Sequence, residues 1–300
     1  MTAQLRILRA GPLCTIQGDG REGFLAQGIS ASGPMDKSSH RLAGQLAGAA
    51  SGDGIEMTRA GLEIEDTAGT LAMGWAGGVF EISSGRQRLS WPGSAVLSAG
   101  GRLSITPGAA GNYGYLRFGA RLDLPQVMGS RATNTRAQLG GFAGRALAAG
   151  DILSFEGEGE HPVVVDAVPA ASGPIRFIWG LHAAHFSAAI RERFIAADFR
   201  VTPMMDRMGV RLADEAAVFS GASILSLVSD PILAGDIQIL GDGTPIVLMR
   251  DHQPTGGYPR IGTVISADLD RFAQLRPGEA VAFAPVTVDH AHRLLRSGPA

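Results

Sequence analysis

Three hundred residues exceed what one ordinary core needs, so the length predicts one large domain or two smaller ones. With 45% hydrophobic and 18% charged residues, the composition is that of a folded globular protein and excludes extended disorder. A formal charge of −2, with no basic run interleaved with aromatics, argues against nucleic-acid binding.

Forty-two glycines and 16 prolines imply many tight turns between short elements, which favours β architecture. Lys37 is the only lysine, so a Schiff base or a biotin link would have to use it. It lies in Pro-Met-Asp-Lys-Ser, unlike the Met-Lys-Met setting of a biotin acceptor, and no covalent biotin is expected on this chain. The single cysteine, Cys14, cannot form an internal disulfide, and the opening ten residues carry charge where a signal peptide needs an apolar run. No apolar stretch reaches membrane-spanning length. The expectation is a cytoplasmic protein with no membrane contact.

In chain order, Gly18-Asp19-Gly20-Arg21-Glu22-Gly23 has the glycine spacing of a dinucleotide-binding turn. That motif must open a helix, and Gly28, Ser30, Ser32, Gly33 and Pro34 interrupt one, so a β-turn is expected instead. Asp36 is a good N-cap for a first helix carrying Leu42, Ala43 and Leu46 and ending by Gly48. Strands are predicted over 62–65, 79–82, 113–118, 163–165, 175–179 and 246–249. A Leu-x-x-Gly turn leading into a strand recurs at Gly100, Gly150 and Gly278, a repeated hairpin-like closure. Residues 167–174, with two prolines and a glycine, form the best linker. A second helix starts at Ser187, and a shorter helical turn follows Asp268. The fold expected is mainly β with a few helices, in two β-rich units over 1–166 and 175–290.

His182 and His185 lie before the Ser187 cap with no cysteine or carboxylate to complete a ligand set, so they read as surface or packing residues and no metal site is assigned to this chain. A P-loop and a Gly-x-Ser-x-Gly elbow are both absent, which removes two common nucleotide and hydrolase devices. The most informative stretch is 235–261, where an apolar strand delivers Arg250, Asp251, His252, Gln253 and Thr255 into the pair Gly256-Gly257. Glycine N–H groups there can approach an anion, Asp251 can act as a base or metal ligand, and Arg250 or Arg260 can neutralise a phosphate or carboxylate. Asp206-Arg207, set among methionines, reads as a structural charge pair. Gly129-Ser130-Arg131-Ala132-Thr133 offers an arginine and two hydroxyls to an oxyanion, or is a capped turn.

These motifs, together with Thr15-Ile16-Gln17, Ser32-Gly33-Pro34-Met35-Asp36, Gly140-Gly141-Phe142-Ala143-Gly144-Arg145, Asp206-Arg207-Met208-Gly209 and the run Asp251 to Pro259, resemble the KipA-like family. That family is also called allophanate hydrolase subunit 2 or biotin-dependent carboxyltransferase, and is mostly assigned as the C subunit of 5-oxoprolinase. The pattern departs at Gly18, Met205 and Pro254, where the family has aspartate, serine and threonine. The resemblance implies a carboxyltransferase-like first unit, a cyclophilin-like β-barrel in the second, and partnership with two other 5-oxoprolinase subunits, a KipI-like B and an A. It also implies ATP-dependent hydrolysis of 5-oxo-L-proline to L-glutamate, with ATP and Mg2+ shared with the partners. Carboxyl transfer from biotin to urea or a related amide, and KipI binding without catalysis, remain alternatives. Under the first reading Asp251, Arg260 and Gln238 are the catalytic candidates. Gln253, Thr255, Gly256, Gly257, Tyr258, Arg131 and Thr133 are the substrate-binding ones.

Overall fold

The computed structural model describes residues 3–49, 51–157, 172–222 and 226–297. The chain divides into two compact units, Met1–Gly23 with Ala31–Ala167 and Phe24–Ser30 with Val168–Ala300. The short segment Phe24–Ser30 therefore clusters with the second unit, although it lies inside the stretch that the sequence gives to the first. The strand expected over 163–165 and residues 167–171 of the expected linker lie outside the described residues.

The first unit runs β1 (Gln4–Ala10), β2 (Thr15–Gln17), α1 (Lys37–Ala47), β3 (Gly54–Thr58), β4 (Leu62–Ala68), β5 (Thr70–Gly77), β6 (Phe80–Ser84), β7 (Gln87–Leu89), β8 (Gly93–Ser98), β9 (Arg102–Pro107), β10 (Tyr113–Phe118), β11 (Arg121–Leu122) and β12 (Ile152–Glu156). Its strands form a seven-stranded sheet in the order β11-β12-β1-β4-β9-β6-β7 and a five-stranded sheet in the order β2-β3-β10-β5-β8. Alternation drives the first sheet: Leu5 and Ile7 are buried on either side of exposed Arg6. Leu5, Ile64 and Ile105 share one core with Ile55, Trp75 and Leu116 of the second sheet.

Helix α1 forms where its caps direct it. Asp36 accepts from the Ser39 N–H at 2.9 Å, and Gly48 closes the helix at φ +58°. The helix lies so close to β5 that a Cβ on Gly74 would fall 2.4 Å from the Ala43 carbonyl oxygen, so only glycine fits there.

The second unit runs β13 (Ile175–Trp179), α2 (Ala188–Ala196), β14 (Asp198–Met205), β15 (Gly209–Ala213), β16 (Asp230–Pro231), β17 (Asp236–Ile239), β18 (Pro245–Leu248), β19 (Thr255–Gly256), β20 (Arg260–Val264), α3 (Ser266–Ala273), β21 (Ala280–Pro285) and α4 (Val288–Ser297). Seven strands close into a barrel in the order β13-β20-β17-β18-β15-β14-β21, while β16 and β19 form a separate two-stranded ribbon. The mainly-β class with a barrel is thus present. Pairing is antiparallel except between β13 and β21, which are parallel. Phe177, Phe194, Phe199 and Phe283 are buried and in mutual ring contact, with Phe194 stacked on Phe283 at 5.1 Å. Each such ring contributes about 1.5–3 kcal/mol by leaving water.

The helix capped by Ser187 lies where the sequence puts it. Helix α3 begins at Ser266, two residues before the expected start, because Asp268 is not a cap: its buried carboxylate accepts from the Arg176 N–H at 2.7 Å and from the Arg176 Nε at 3.0 Å. Gly100, Gly150 and Gly278 all have positive φ, at +83°, +94° and +89°, so the recurring pattern is one left-handed turn used three times. Among the described residues, no helix is long and apolar enough to cross a membrane.

Candidate functional site

The loop after β18 is pinned to the β14–β15 turn. The Met249 N–H donates to the Met208 carbonyl at 2.8 Å and the Asp251 N–H to the Arg207 carbonyl at 2.7 Å. Arg207 then grips Asp251 with two parallel bonds, Nε to Oδ2 at 2.8 Å and Nη2 to Oδ1 at 3.1 Å, with both side chains buried. Each carboxylate oxygen accepts one of these bonds, so Asp251 anchors the loop on Arg207. Arg207 also turns out to be paired with Asp251 rather than its neighbour Asp206, whose carboxylate caps the Met208 and Gly209 N–H groups instead. Arg250 reaches Asp270 of α3 at 3.2 Å.

Arg260 is likewise taken. Its Nη1 donates to the Pro231 carbonyl at 2.9 Å and to Asp236 at 3.3 Å, and its Nη2 is bonded to Asp230. Two aspartates offset this guanidinium, which corrects its expected role as a free phosphate clamp; it ties β20 to β17 and to the β16–β19 ribbon. Its backbone N–H donates to His182 Nδ1 at 3.3 Å, so that imidazole is neutral with its proton on Nε2. Burial first, then Arg260 and His185, push the His182 pKa below its ordinary value.

Gln238 on β17 is 1% exposed, and its Nε2 has no hydrogen-bond partner among the described residues. A buried donor left unmet costs about 1–3 kcal/mol, a cost that a ligand carbonyl removes. The amide points under the ribbon: a Cβ on Gly256 would lie 2.6 Å from Nε2. Gly256 pairs with Asp230, and the Gly257 carbonyl accepts from the Leu227 N–H at 2.6 Å. Thr255 and Tyr258 are exposed, and Gln253 is half-buried.

His252, to which the sequence assigns no role, is buried, and its Nδ1 lies 2.7 Å from the Gln253 carbonyl oxygen. A carbonyl only accepts, so Nδ1 carries a proton and Nε2 is the ring nitrogen left to face the loop's surroundings. The available signal was its place between an anchoring aspartate and a polar loop. Around this floor stand exposed apolar side chains: Leu181, Val228, Leu233 and Tyr258. Each adjoins a segment bonded to the loop, through Gly180 to Ile261, Leu227 to Gly257 and Ile232 to Pro254.

Arg131 and Thr133 belong to the first unit. Thr133 is buried with its hydroxyl donating to the Ile16 carbonyl at 2.9 Å, and Gly141 packs so closely that a Cβ there would overlap it. It therefore holds the loop to β2 instead of facing a substrate. Arg131 pairs with Asp53 at 2.9 Å and borders a cavity of about 530 Å³. Arg21 braces this loop from within, donating to the carbonyls of Val127 at 3.2 Å and Ala132 at 2.6 Å. Arg21 of the glycine-rich turn thus has a structural part in holding this loop.

Two β-rich units, one of them a closed barrel with a polar loop anchored on buried charge, define the class. The chain belongs to the carboxyltransferase domain family, subdomain A and B, whose pattern it matches over residues 27–285. It is 32% identical to the C subunit of Escherichia coli 5-oxoprolinase over 291 residues, covering 96% of this chain and 93% of that one. It is also 32% identical to the C subunit of Haemophilus influenzae 5-oxoprolinase, covering 97% and 94% respectively. The crystal structure of the K. lactis urea amidolyase superposes with a TM-score of 0.87 at 25% identity, covering 98% of this chain and 19% of that one. Two near-full-length relatives named as subunits support a subunit role within an enzyme complex.

Proposed function

We propose that this chain is the C subunit of an ATP-dependent 5-oxoprolinase that hydrolyses 5-oxo-L-proline to L-glutamate with ATP cleavage, together with a KipI-like B partner and an A partner. The observation that carries this reading is the near-complete mutual coverage with two proteins of that name. The site geometry supports it: a buried polar floor rimmed by exposed apolar side chains suits a cleft that another polypeptide completes.

A lactam is a resonance-stabilised amide, and phosphorylating its carbonyl oxygen makes ring opening by water feasible. In this reading Gln238 donates its unmet Nε2 hydrogen to the lactam carbonyl when the β16–β19 ribbon lifts. His252 Nε2 accepts a proton from the attacking water, and Thr255 and Tyr258 cover the ring. Arg260 and Asp251 hold these groups in place without touching the reacting atoms. Among the described residues, no group of three or more His, Cys, Asp or Glu side chains is placed to hold a metal ion. The acids nearest the floor, Asp251, Asp230 and Asp236, are each bonded to an arginine. In this reading the ATP and Mg2+ are shared with the partner subunits, which supply most of the nucleotide's contacts.

The test is ATP-dependent glutamate release from 5-oxo-L-proline by the reconstituted subunits, with each omitted in turn. Release should vanish without this chain and fall at least tenfold with Gln238→Leu; an undiminished rate without the chain refutes the reading. The likeness to the K. lactis urea amidolyase favours a second reading, carboxyl transfer to urea or a related amide using a separate biotin carrier. Inhibition of the reconstituted reaction by avidin would favour that reading.

A further inference from the structure

The cavity on the first unit is lined by two arginines, Arg121 and Arg131, and two aspartates, Asp19 and Asp53, with Arg117 behind its wall. Arg131, 9% exposed, spends Nε on the Leu124 carbonyl at 2.5 Å and Nη1 on Asp53 at 2.9 Å. Its Nη2 has no partner among the described residues and is not sealed from solvent, so one edge of the guanidinium stays available where the side chain borders the cavity. Beneath, Arg117 clamps the cavity wall by donating to the carbonyls of Asp53 at 3.0 Å and Ser51. Arg117 has no carboxylate in contact; Asp53 and Asp19 act on it through their field alone.

Asp19 is the exposed member of the set, and its carboxylate lies over Gly52, where a Cβ would come 2.9 Å from Oδ2. Its backbone carbonyl accepts from the Ser130 hydroxyl at 2.5 Å, while its carboxylate makes no hydrogen bond among the described residues. The lining thus sets Arg121 and Arg131 against Asp19 and Asp53, and with Arg121 bonded to Glu156 it leaves one open donor edge on buried Arg131 and one open acceptor on the Asp19 carboxylate. A ligand of a single sign would leave one of these unmatched, whereas a zwitterion meets both.

We propose that this cavity binds the zwitterion of a small amino acid, its carboxylate on Arg131 Nη2 and its ammonium on Asp19. The choice of L-glutamate as probe rests on the proposed function, in which it is the product. The experiment is calorimetric titration of the full chain, without partners, with L-glutamate, glutarate and 5-oxo-L-proline. L-glutamate should bind, and the two ligands lacking an ammonium should bind about tenfold more weakly or worse. Asp19→Asn should weaken L-glutamate binding by about tenfold, and so should Gly52→Ala, which keeps every charge but pushes the Asp19 carboxylate aside. Thermal melts of both variants should match the parent, because neither removes a buried pair. Equal affinity for glutamate and glutarate, or no heat with L-glutamate, overturns the proposal. The titration reads no turnover, so its failure leaves the 5-oxoprolinase reading intact, and an inactive reconstituted complex leaves the cavity's ligand standing.

Discussion

Arg207 in the second unit and Arg131 in the first are both buried guanidiniums bonded to an aspartate, yet they differ in how that bond is made. Arg207 gives Asp251 two parallel bonds, and both side chains are nearly sealed, at 4% and 5% exposure. Arg131 gives Asp53 a single bond and keeps one edge open beside a cavity. The first arrangement fixes a loop, and the second leaves capacity for a ligand. Buried charge alone does not mark a site; an unspent donor does.

The largest effect that would break this contrast is on stability. Asp251→Ala removes the carboxylate that takes two bonds from the buried Arg207 guanidinium and should cost about 3–5 kcal/mol, read as a lower midpoint in denaturant. Asp53→Ala should cost less, because Arg131 can turn to water in the cavity. Equal losses would erase the distinction. An Asp251→Ala protein of parental stability without activity would return Asp251 to a catalytic role.

The next effect concerns His40, which sits between Arg117 and Tyr115 in the first unit. Burial first, and the Arg117 charge second, push its pKa from 6.5 down to about 3. Between those values the unfolded chain binds a proton that the folded chain refuses. Stability is therefore fully present above about pH 6.5 and is lost as pH falls toward 3, by up to about 1.4 kcal/mol per pH unit. Urea melts at pH 7 and pH 4.5 should show this loss, and His40→Asn should flatten it; an unchanged slope in the variant would contradict it. His182, with its milder downward shift, should add a smaller change of the same sign in the second unit.

The smallest effect sharpens the role of Gln238. Gly256→Ala places a methyl group 2.6 Å from Nε2 and forces the amide or the ribbon to move, for about 1–3 kcal/mol. Gln238→Leu removes the unmet donor and should leave the isolated chain as stable as the parent or more so. A marked loss of stability in Gln238→Leu would mean that the amide already has a partner.

Local rules were legible in the sequence. The Asp36 and Ser187 caps, the Gly48 stop and the strands 113–118 and 175–179 follow from residues within a few positions of one another. Long-range pairing was not. Asp251 is 44 residues from Arg207, whereas Asp206 stands beside it and draws the eye. Asp53 is 78 residues from Arg131, so the sequence singled out the stretch around Arg131 without showing its partner or the cavity. Helix α4 was not expected, because His290 and His292 mask the apolar spacing of Val288, Ala291 and Leu295. Thr133 read as a ligand because a hydroxyl beside glycine looks available, and only the fold shows Gly141 closing over it.

The shared-site account is tested most directly by titrating the partner subunits into this chain and following glutamate release. Leu181→Glu with Leu233→Glu puts two charges on the apolar rim and leaves the substrate-facing groups untouched. The account predicts that this variant needs far more partner to reach half-maximal release, yet approaches the parental rate at saturation. A titration curve that superposes on the parent's would contradict it.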